Sequence, residues 1–195
     1  MAAFITRATL TSFGGPYKSI RGHAMQVTKT ELEGVIVIKP EVFEDFRGQY
    51  VETYNDKLYR EFGIDVKFVQ DDISVSARHV LRGIHGDAET WKLVSCLYGR
   101  FYLVVVNCDK QSSTFGKWQS FVLSDCNRLQ VLIAPKHGNG HVVLSEQAIF
   151  HYKQSSYYNP KGQFTYKWND PKFEIWWPIS APILSRRDET GHFVG

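Results

Sequence analysis

In the stretch VLRGIHGD, Arg82 and His85 stand around Gly83, and a glycine at such a point lets the backbone approach a ligand closely or bend sharply. Histidine ordinarily titrates near neutrality, so His85 is a candidate general base. Lys92 follows in WKLVSCLYG, Tyr152 lies in AIFHYKQ, and Asp170 closes the tripeptide Trp168-Asn169-Asp170. These four residues supply a base, a cation for a developing negative charge, a phenol that can return a proton, and a carboxylate that can orient an imidazole. The chemistry they suit is proton transfer through an anionic intermediate. A lone histidine is as readily a hydrogen-bonded core or surface residue, and four such side chains can be grouped on paper in any chain of 195 residues. The elements around them must therefore carry the specificity.

From Gly34 onward, short apolar or alternating runs recur with turn residues between them: GVIVIKP, QYVETYN, VKFVQ, ISVSA, WKLVSCLYG, RFYLVVVNC, WQSFVLS, QVLIAP and AIFHYKQ. Closely spaced runs of this kind predict an all-β sandwich or barrel. Only DKLYREF and SRRDE read as helical, each about two turns at most. There is no βαβ alternation and neither a GxGxxG nor a GxxxxGK[ST] loop, which argues against Rossmann and P-loop enzymes. Strand alternation puts Phe150 and Tyr152 on one face and Ile149, His151 and Lys153 on the other. Lys92, Val94, Cys96 and Tyr98 likewise share a face, so a lysine and a tyrosine on otherwise apolar faces are expected to point into a barrel lumen.

Composition narrows the partners. The formal charge is +3 with basic and acidic residues interspersed, which leaves no footprint for a nucleic-acid backbone and makes a nucleotide the more natural anionic partner. Five Trp and ten Tyr offer platforms for a flat ligand. Cys96, Cys108 and Cys126 form no CxxC pair and are odd in number, so a reducing cytoplasm is expected rather than a disulfide framework or a zinc ribbon. No apolar run approaches the roughly 20 residues of a membrane span. Residues 1–26 differ in character from the rest and read as a leader or disordered arm, with Met25 as an internal start; residues 27–195 read as one domain.

The segments FEDFRGQYVETYN, FVQDDISVS, VLRGIHGD, KLV, STFGKW, EQAIFHYKQSSYYNP, KWNDP, IWWP and PILSRRDE resemble, in matching order, the dTDP-4-dehydrorhamnose 3,5-epimerase family, over about residues 34–190. The resemblance implies a dimeric cupin-type jelly roll that needs no metal or other cofactor and acts on nucleotide-linked 4-keto-6-deoxy sugars. It implies His85 as the base, Asp170 as its dyad partner, Lys92 as the strand lysine and Tyr152 as the acid. It also implies substrate contacts from Arg47, Glu52, Gln70, Arg82 and Tyr158, although the two arginines also suit surface ion pairs and Tyr158 suits edge packing. Such an enzyme would sit in the synthesis of surface polysaccharides such as O-antigen or capsule.

The chain departs from the family pattern in three places. Where the family has a second histidine in AHGF, this chain reads APKHGNGHVVLS, one residue shorter, and the preferred register puts Asn139 there, with His137 and His141 as alternatives. An asparagine can donate a hydrogen bond to an enolate oxygen but carries no charge, so stabilisation would lean on Lys92. Asp72 stands where asparagine is usual, and the loop between His85 and Lys92 is short. These features resemble the branch acting on GDP- or CDP-linked heptoses and other unusual sugars. Two other readings remain: a metal cupin using His85, Glu89 and His141, and a non-catalytic barrel that binds a nucleotide sugar. Inversion at C3, C5 or both is left open.

Overall fold

The computed structural model describes residues 25–194. In chain order the elements are β1 (Gln26–Lys29), β2 (Val35–Lys39), β3 (Val42–Asp45), β4 (Gly48–Val51), α1 (Asp56–Glu61), β5 (Gln70–Ala77), β6 (Leu81–Gly86) and β7 (Lys92–Tyr98). There follow β8 (Arg100–Asn107), β9 (Trp118–Ser124), β10 (Gln130–Ile133), β11 (His137–Val143), β12 (Gln147–Gln154), β13 (Phe164–Thr165) and α2 (Arg186–Glu189). The strands form a six-stranded sheet ordered β1-β2-β10-β7-β12-β5, a five-stranded sheet ordered β13-β6-β11-β8-β9, and the separate hairpin β3-β4. The paired strands run antiparallel, giving the cupin-type jelly roll that the resemblance implied.

The run FYLVVVN is apolar without alternation, which a strand tolerates when both of its faces are covered. β8 meets that condition. Phe101, Leu103 and Val105 pack into the space between the sheets against Val94, Val131 and Phe150, while Tyr102, Val104 and Val106 pack outward beneath Phe173, Trp177 and Val194 of the C-terminal segment. The outer face of the six-stranded sheet is covered in part by the α1 region, where Tyr59 and Ile64 bury Ile38, Leu93 and Leu132. The Tyr59 hydroxyl donates to Gln130 Oε1 at 2.5 Å, which anchors that helix to the sheet. At the β5-β12 end nothing among the described residues covers the sheet, and Ile73 and Val75 are 60% and 50% exposed.

Both expected helices form, each started by a side-chain cap: Asn55 accepts from the Leu58 N–H and Ser185 from the Asp188 N–H. Lys92, Val94 and Cys96 face inward as alternation predicts, but Tyr98 is exposed. The pairing of β7 with β12 shifts register between Ile149 and Phe150, and the chain then turns through Gly99 at φ +75°, so the period-two pattern ends before Tyr98. Of the arm expected over residues 1–26, only the last two lie within the described residues: Met25 is buried and Gln26 opens β1.

β6 and β11 approach unusually closely, and glycine is what allows it. Gly83 has φ +126°, and a Cβ there would lie 2.4 Å from Gly140 Cα. This contact puts His85 opposite Asn139 and Arg82 opposite His141 across the two strands.

Candidate active site

Between the sheets, at one end of the sandwich, lies a pocket of about 270 Å³. The five-stranded sheet contributes Arg82 and His85 from β6 and Asn139 and His141 from β11. The six-stranded sheet contributes Ile73 and Ser74, Lys92, and then Phe150, Tyr152 and Gln154 from β12. Tyr158, Gln163 and Arg187 complete the lining.

His85 is held by a carboxylate, but not that of Asp170. Its Nε2 lies 2.7 Å from Oδ1 of Asp188. Asp188 stands three residues after the Ser185 cap; its Oδ2 accepts from the Ser185 hydroxyl at 2.6 Å and its Oδ1 accepts from the Gly83 N–H at 3.2 Å. Burial pushes the Asp188 carboxyl up, yet the bonds from His85, Ser185 and Gly83 outweigh it and hold the group below the usual carboxylate range. With a carboxylate on Nε2, the neutral ring keeps its proton there and leaves the Nδ1 lone pair free to accept one. Asp170 is spent elsewhere: it accepts from the Val194 N–H at 2.6 Å and the Lys172 N–H at 2.9 Å, and so ties down the C-terminal segment. The carboxylate that meets His85 is therefore Asp188 and not the expected Asp170.

Lys92 is buried, and desolvation pulls its ammonium below the ordinary lysine range, against the opposing pull of Asp87, with Arg187 adding to the depression. Its Nζ is 3.9 Å from Asp87 Oδ2. That carboxylate is already engaged by Gln163 at 2.9 Å, and its other oxygen by the Thr90 N–H at 2.6 Å. Lys92 is thus a cation held loosely enough to serve a second anion. Asn139 is buried on the opposite, five-stranded wall, its Oδ1 without a hydrogen-bond partner among the described residues. Burial, with the Asp72 carboxylate and Tyr158 adding to it and Arg82 opposing, pushes the Tyr152 phenol up, which keeps it protonated and able to donate.

The substrate contacts implied by the resemblance divide. Arg82 lines the pocket, its Nε–H donating to Ser76 Oγ at 3.0 Å, and Tyr158 lines it half exposed. Gln70 lies behind the lining: its Oε1 accepts from the Tyr158 N–H at 2.8 Å and its Nε2 donates to Asp72, so it positions Tyr158. Arg47 and Glu52 are not brought to this pocket. Arg47 sits on the β3-β4 turn, paired with Asp45 at 2.6 Å, and Glu52 accepts from Asn55 beside a separate small cavity. His137 is also outside the lining; its Nδ1 meets the Pro135 carbonyl at 3.1 Å. His85, Glu89 and His141 are not brought together, and no group of three His, Cys, Asp or Glu residues spaced for a metal ion occurs among the described residues.

The sequence pointed to neither Arg187, which lines the pocket, nor Asp188, which stands behind His85. Both belong to SRRDE, legible as a helix but with no local sign that its first carboxylate would reach a histidine 103 residues earlier. The one available signal was the S-x-x-D spacing, in which the acidic residue normally turns back on its own helix start. Here it faces His85 as well.

A two-sheet barrel whose pocket pairs a carboxylate-held histidine on one wall with a buried lysine and a tyrosine on the other defines an isomerase of the cupin-type jelly-roll class. The sequence profile of dTDP-4-dehydrorhamnose 3,5-epimerase matches residues 29–194, and the chain belongs to that family of nucleotide-sugar epimerases. It is 40% identical over 171 residues to the dTDP-4-dehydrorhamnose 3,5-epimerase of Shigella flexneri, covering 86% of this chain and 94% of that protein. It is 34% identical over 172 residues to a dTDP-4-dehydrorhamnose 3-epimerase of Streptomyces niveus, covering 85% and 82%. Among solved structures, the dTDP-6-deoxy-D-glucose-3,5-epimerase of Legionella pneumophila in complex with dTDP-4-keto-L-rhamnose superposes with a TM-score of 0.83 at 36% identity, covering 87% of this chain and 92% of that one.

Proposed function

We propose that the chain inverts C3, C5 or both of a dTDP-linked 4-keto-6-deoxy sugar by proton abstraction and reprotonation. One observation carries this reading: His85, held by Asp188, stands on the five-stranded wall of the pocket, while Tyr152 stands on the six-stranded wall. A ketone at C4 acidifies the hydrogens on C3 and C5, so a base on one side of the ring and a donor on the other suffice for inversion. His85 takes the α-proton through Nδ1, and the resulting enolate oxygen is met by Lys92 and the Asn139 amide. Tyr152 then returns a proton to the opposite face. Arg82 and Arg187 supply the planar, charge-assisted contacts that a diphosphate favours.

Among dTDP, CDP and GDP, all left open by the sequence, the names of the matched relatives favour dTDP, so dTDP is the nucleotide proposed here. We further propose a homodimer. Arg47 and Glu52 act on substrate in this reading, yet they lie away from their own chain's pocket, beside a hairpin that exposes Phe43, Phe46 and Tyr50. A second copy, seated on the uncovered Ile73 and Val75 face, would bury these groups and bring one protomer's hairpin to the other's pocket. A cytoplasmic place in surface-polysaccharide precursor synthesis goes with this assignment; the three unpaired cysteines are compatible with it.

The test is incubation of dTDP-4-keto-6-deoxyglucose with the protein in D₂O, read by NMR and mass spectrometry. Deuterium at C3, C5 or both, lost in His85→Ala, is expected. Absence of incorporation from dTDP-, CDP- and GDP-linked 4-keto sugars alike would sink the epimerase reading, and activity that disappears with a chelator would favour a metal enzyme.

A further inference from the structure

His141 is a histidine where the packing asks for an apolar ring. It is fully enclosed, stacked on Phe150 with ring centroids 4.1 Å apart and planes 8° from parallel, and flanked by Phe101 at 5.2 Å. Val143, two residues along the same face of β11, belongs to the apolar core between the sheets. A phenylalanine would keep the stack and avoid burying two ring nitrogens. The family segment AHGF, set against GNGH in the register that aligns its histidine with Asn139, has phenylalanine at this position.

The imidazole lines the pocket, and its Nε2 has no hydrogen-bond partner among the described residues. Asn139, its neighbour on the same face, leaves Oδ1 in the same condition. A buried polar atom without a partner is a net cost to the fold, and proteins keep such atoms where a ligand supplies the missing bond. Two such atoms on one wall of one pocket point to the ligand rather than to the fold.

His141 does not duplicate the role of His85 or Lys92. Burial drives its pKa down to about 3, with Arg82 and His85 adding to the effect and Asp188 opposing it, so the ring is neutral at any working pH. Its Nε2 therefore offers an N–H or a lone pair according to the tautomer, and a hydroxyl, which can accept or donate, meets either. A 4-keto-6-deoxy hexose has only two free ring hydroxyls, at C2 and C3.

We propose that His141 is a specificity residue that hydrogen-bonds one ring hydroxyl of the sugar, at C2 or C3, so that the enzyme selects hydroxylated 4-keto sugars over their deoxy counterparts. This rests on the epimerase reading above. A pocket built to bond a hydroxyl rejects the analogue lacking it, because its own polar groups are then left unpaired.

The experiment measures kcat/KM for deuterium uptake from D₂O at the carbons beside the ketone. Wild type, His141→Phe and His141→Gln are each assayed with dTDP-4-keto-6-deoxyglucose and with its 2-deoxy and 3-deoxy analogues. All three sugars keep exchangeable hydrogens at C3 and C5. His141→Phe should lower kcat/KM on the parent sugar roughly 10- to 100-fold. It should change it by no more than about twofold on one of the two deoxy analogues, because the hydroxyl that His141 serves is then already gone. His141→Gln, which keeps a donor and an acceptor, should recover part of the loss, and it answers the question if the phenylalanine variant fails to fold. Equal penalties on all three sugars, or none on the parent, overturn the assignment while leaving the epimerase standing. No exchange by the wild type on any of the sugars overturns the epimerase reading instead.

Discussion

Oδ1 of Asp188 lies 2.7 Å from Nε2 of His85 across 103 residues of sequence, and the same oxygen accepts the backbone N–H of Gly83, two residues before that histidine. One carboxylate thus fixes both the ring and the strand that carries it. Asp188→Asn should lower kcat/KM roughly 100-fold or more, since an orienting carboxylate sets the tautomer of the base. Asp170→Asn should leave kcat/KM within about threefold and cost about 1–3 kcal/mol of stability, because its bonds go to the Val194 and Lys172 amides. Steady-state kinetics and denaturant unfolding on the two variants separate the roles; the reverse pattern would restore Asp170 as the partner of His85.

Acid unfolding should carry the mark of the same pair. The folded-state pKa of Asp188 is depressed, so its contribution to stability is present above the unfolded carboxylate value of about 3.9 and is lost as pH falls through the lower folded value. Between neutral pH and about pH 5 the wild type should hold its stability, and below about 4 it should lose it. Asp188→Asn should be less stable at neutral pH and show a shallower loss in that acid window. Identical slopes, read from urea unfolding midpoints across pH, would mean that the carboxylate is not ionised in the pair.

How far the sequence could be read follows from the range of each interaction. Alternation and turn residues are local, so the β class, both short helices and the inward faces of Lys92 and Tyr152 were legible from their own segments. His85 was legible because it lies in a glycine-bearing motif whose backbone comes within van der Waals reach of β11. The identity of its partner was not, because Asp170 and Asp188 both sit in short polar segments near the C-terminus, and only the path of the chain over the outer sheet face decides which one arrives at the ring. Tyr98 departs from its expected face for a related reason: Leu97 is the extra residue where β7 shifts register against β12, and such a shift is set by the pairing of two strands and not by the alternation within one.

Lys92 illustrates a group whose burial suits chemistry better than stability. Its ammonium is desolvated, and Asp87, 3.9 Å away, has other partners. Lys92→Met should therefore cost roughly 100- to 1000-fold in kcat, the scale of a lost oxyanion partner. It should leave the unfolding midpoint unchanged or raised. A large fall in stability instead would identify the lysine as a structural ion-pair partner.

Tyr152→Phe should split the reaction. With the donor removed from the six-stranded wall, His85 can still take a proton and return a deuteron to the same face, so exchange with D₂O should continue without inversion. Formation of the inverted sugar should fall roughly 100- to 10,000-fold. NMR of the recovered sugar checks both at once. Equal loss of exchange and inversion would mean that Tyr152 assists abstraction rather than reprotonation.

The proposed sharing of sites between protomers makes a prediction that no single variant can. Arg47 lies on the turn of a hairpin that reaches away from its own pocket, whereas His85 lies within that pocket. If the hairpin serves the other protomer, a heterodimer of Arg47→Ala and His85→Ala chains contains one site with both residues intact and one with neither. Mixing the two impaired variants under conditions that allow subunit exchange should then restore about a quarter of the wild-type sites, since about half of the dimers are mixed and each has one good site of two. If Arg47 served its own pocket, each site would always lack one of the two residues, and mixing would restore nothing. Light scattering on each variant alone and on the mixture must report a dimer for the comparison to hold; a monomer at assay concentration would remove the second copy altogether.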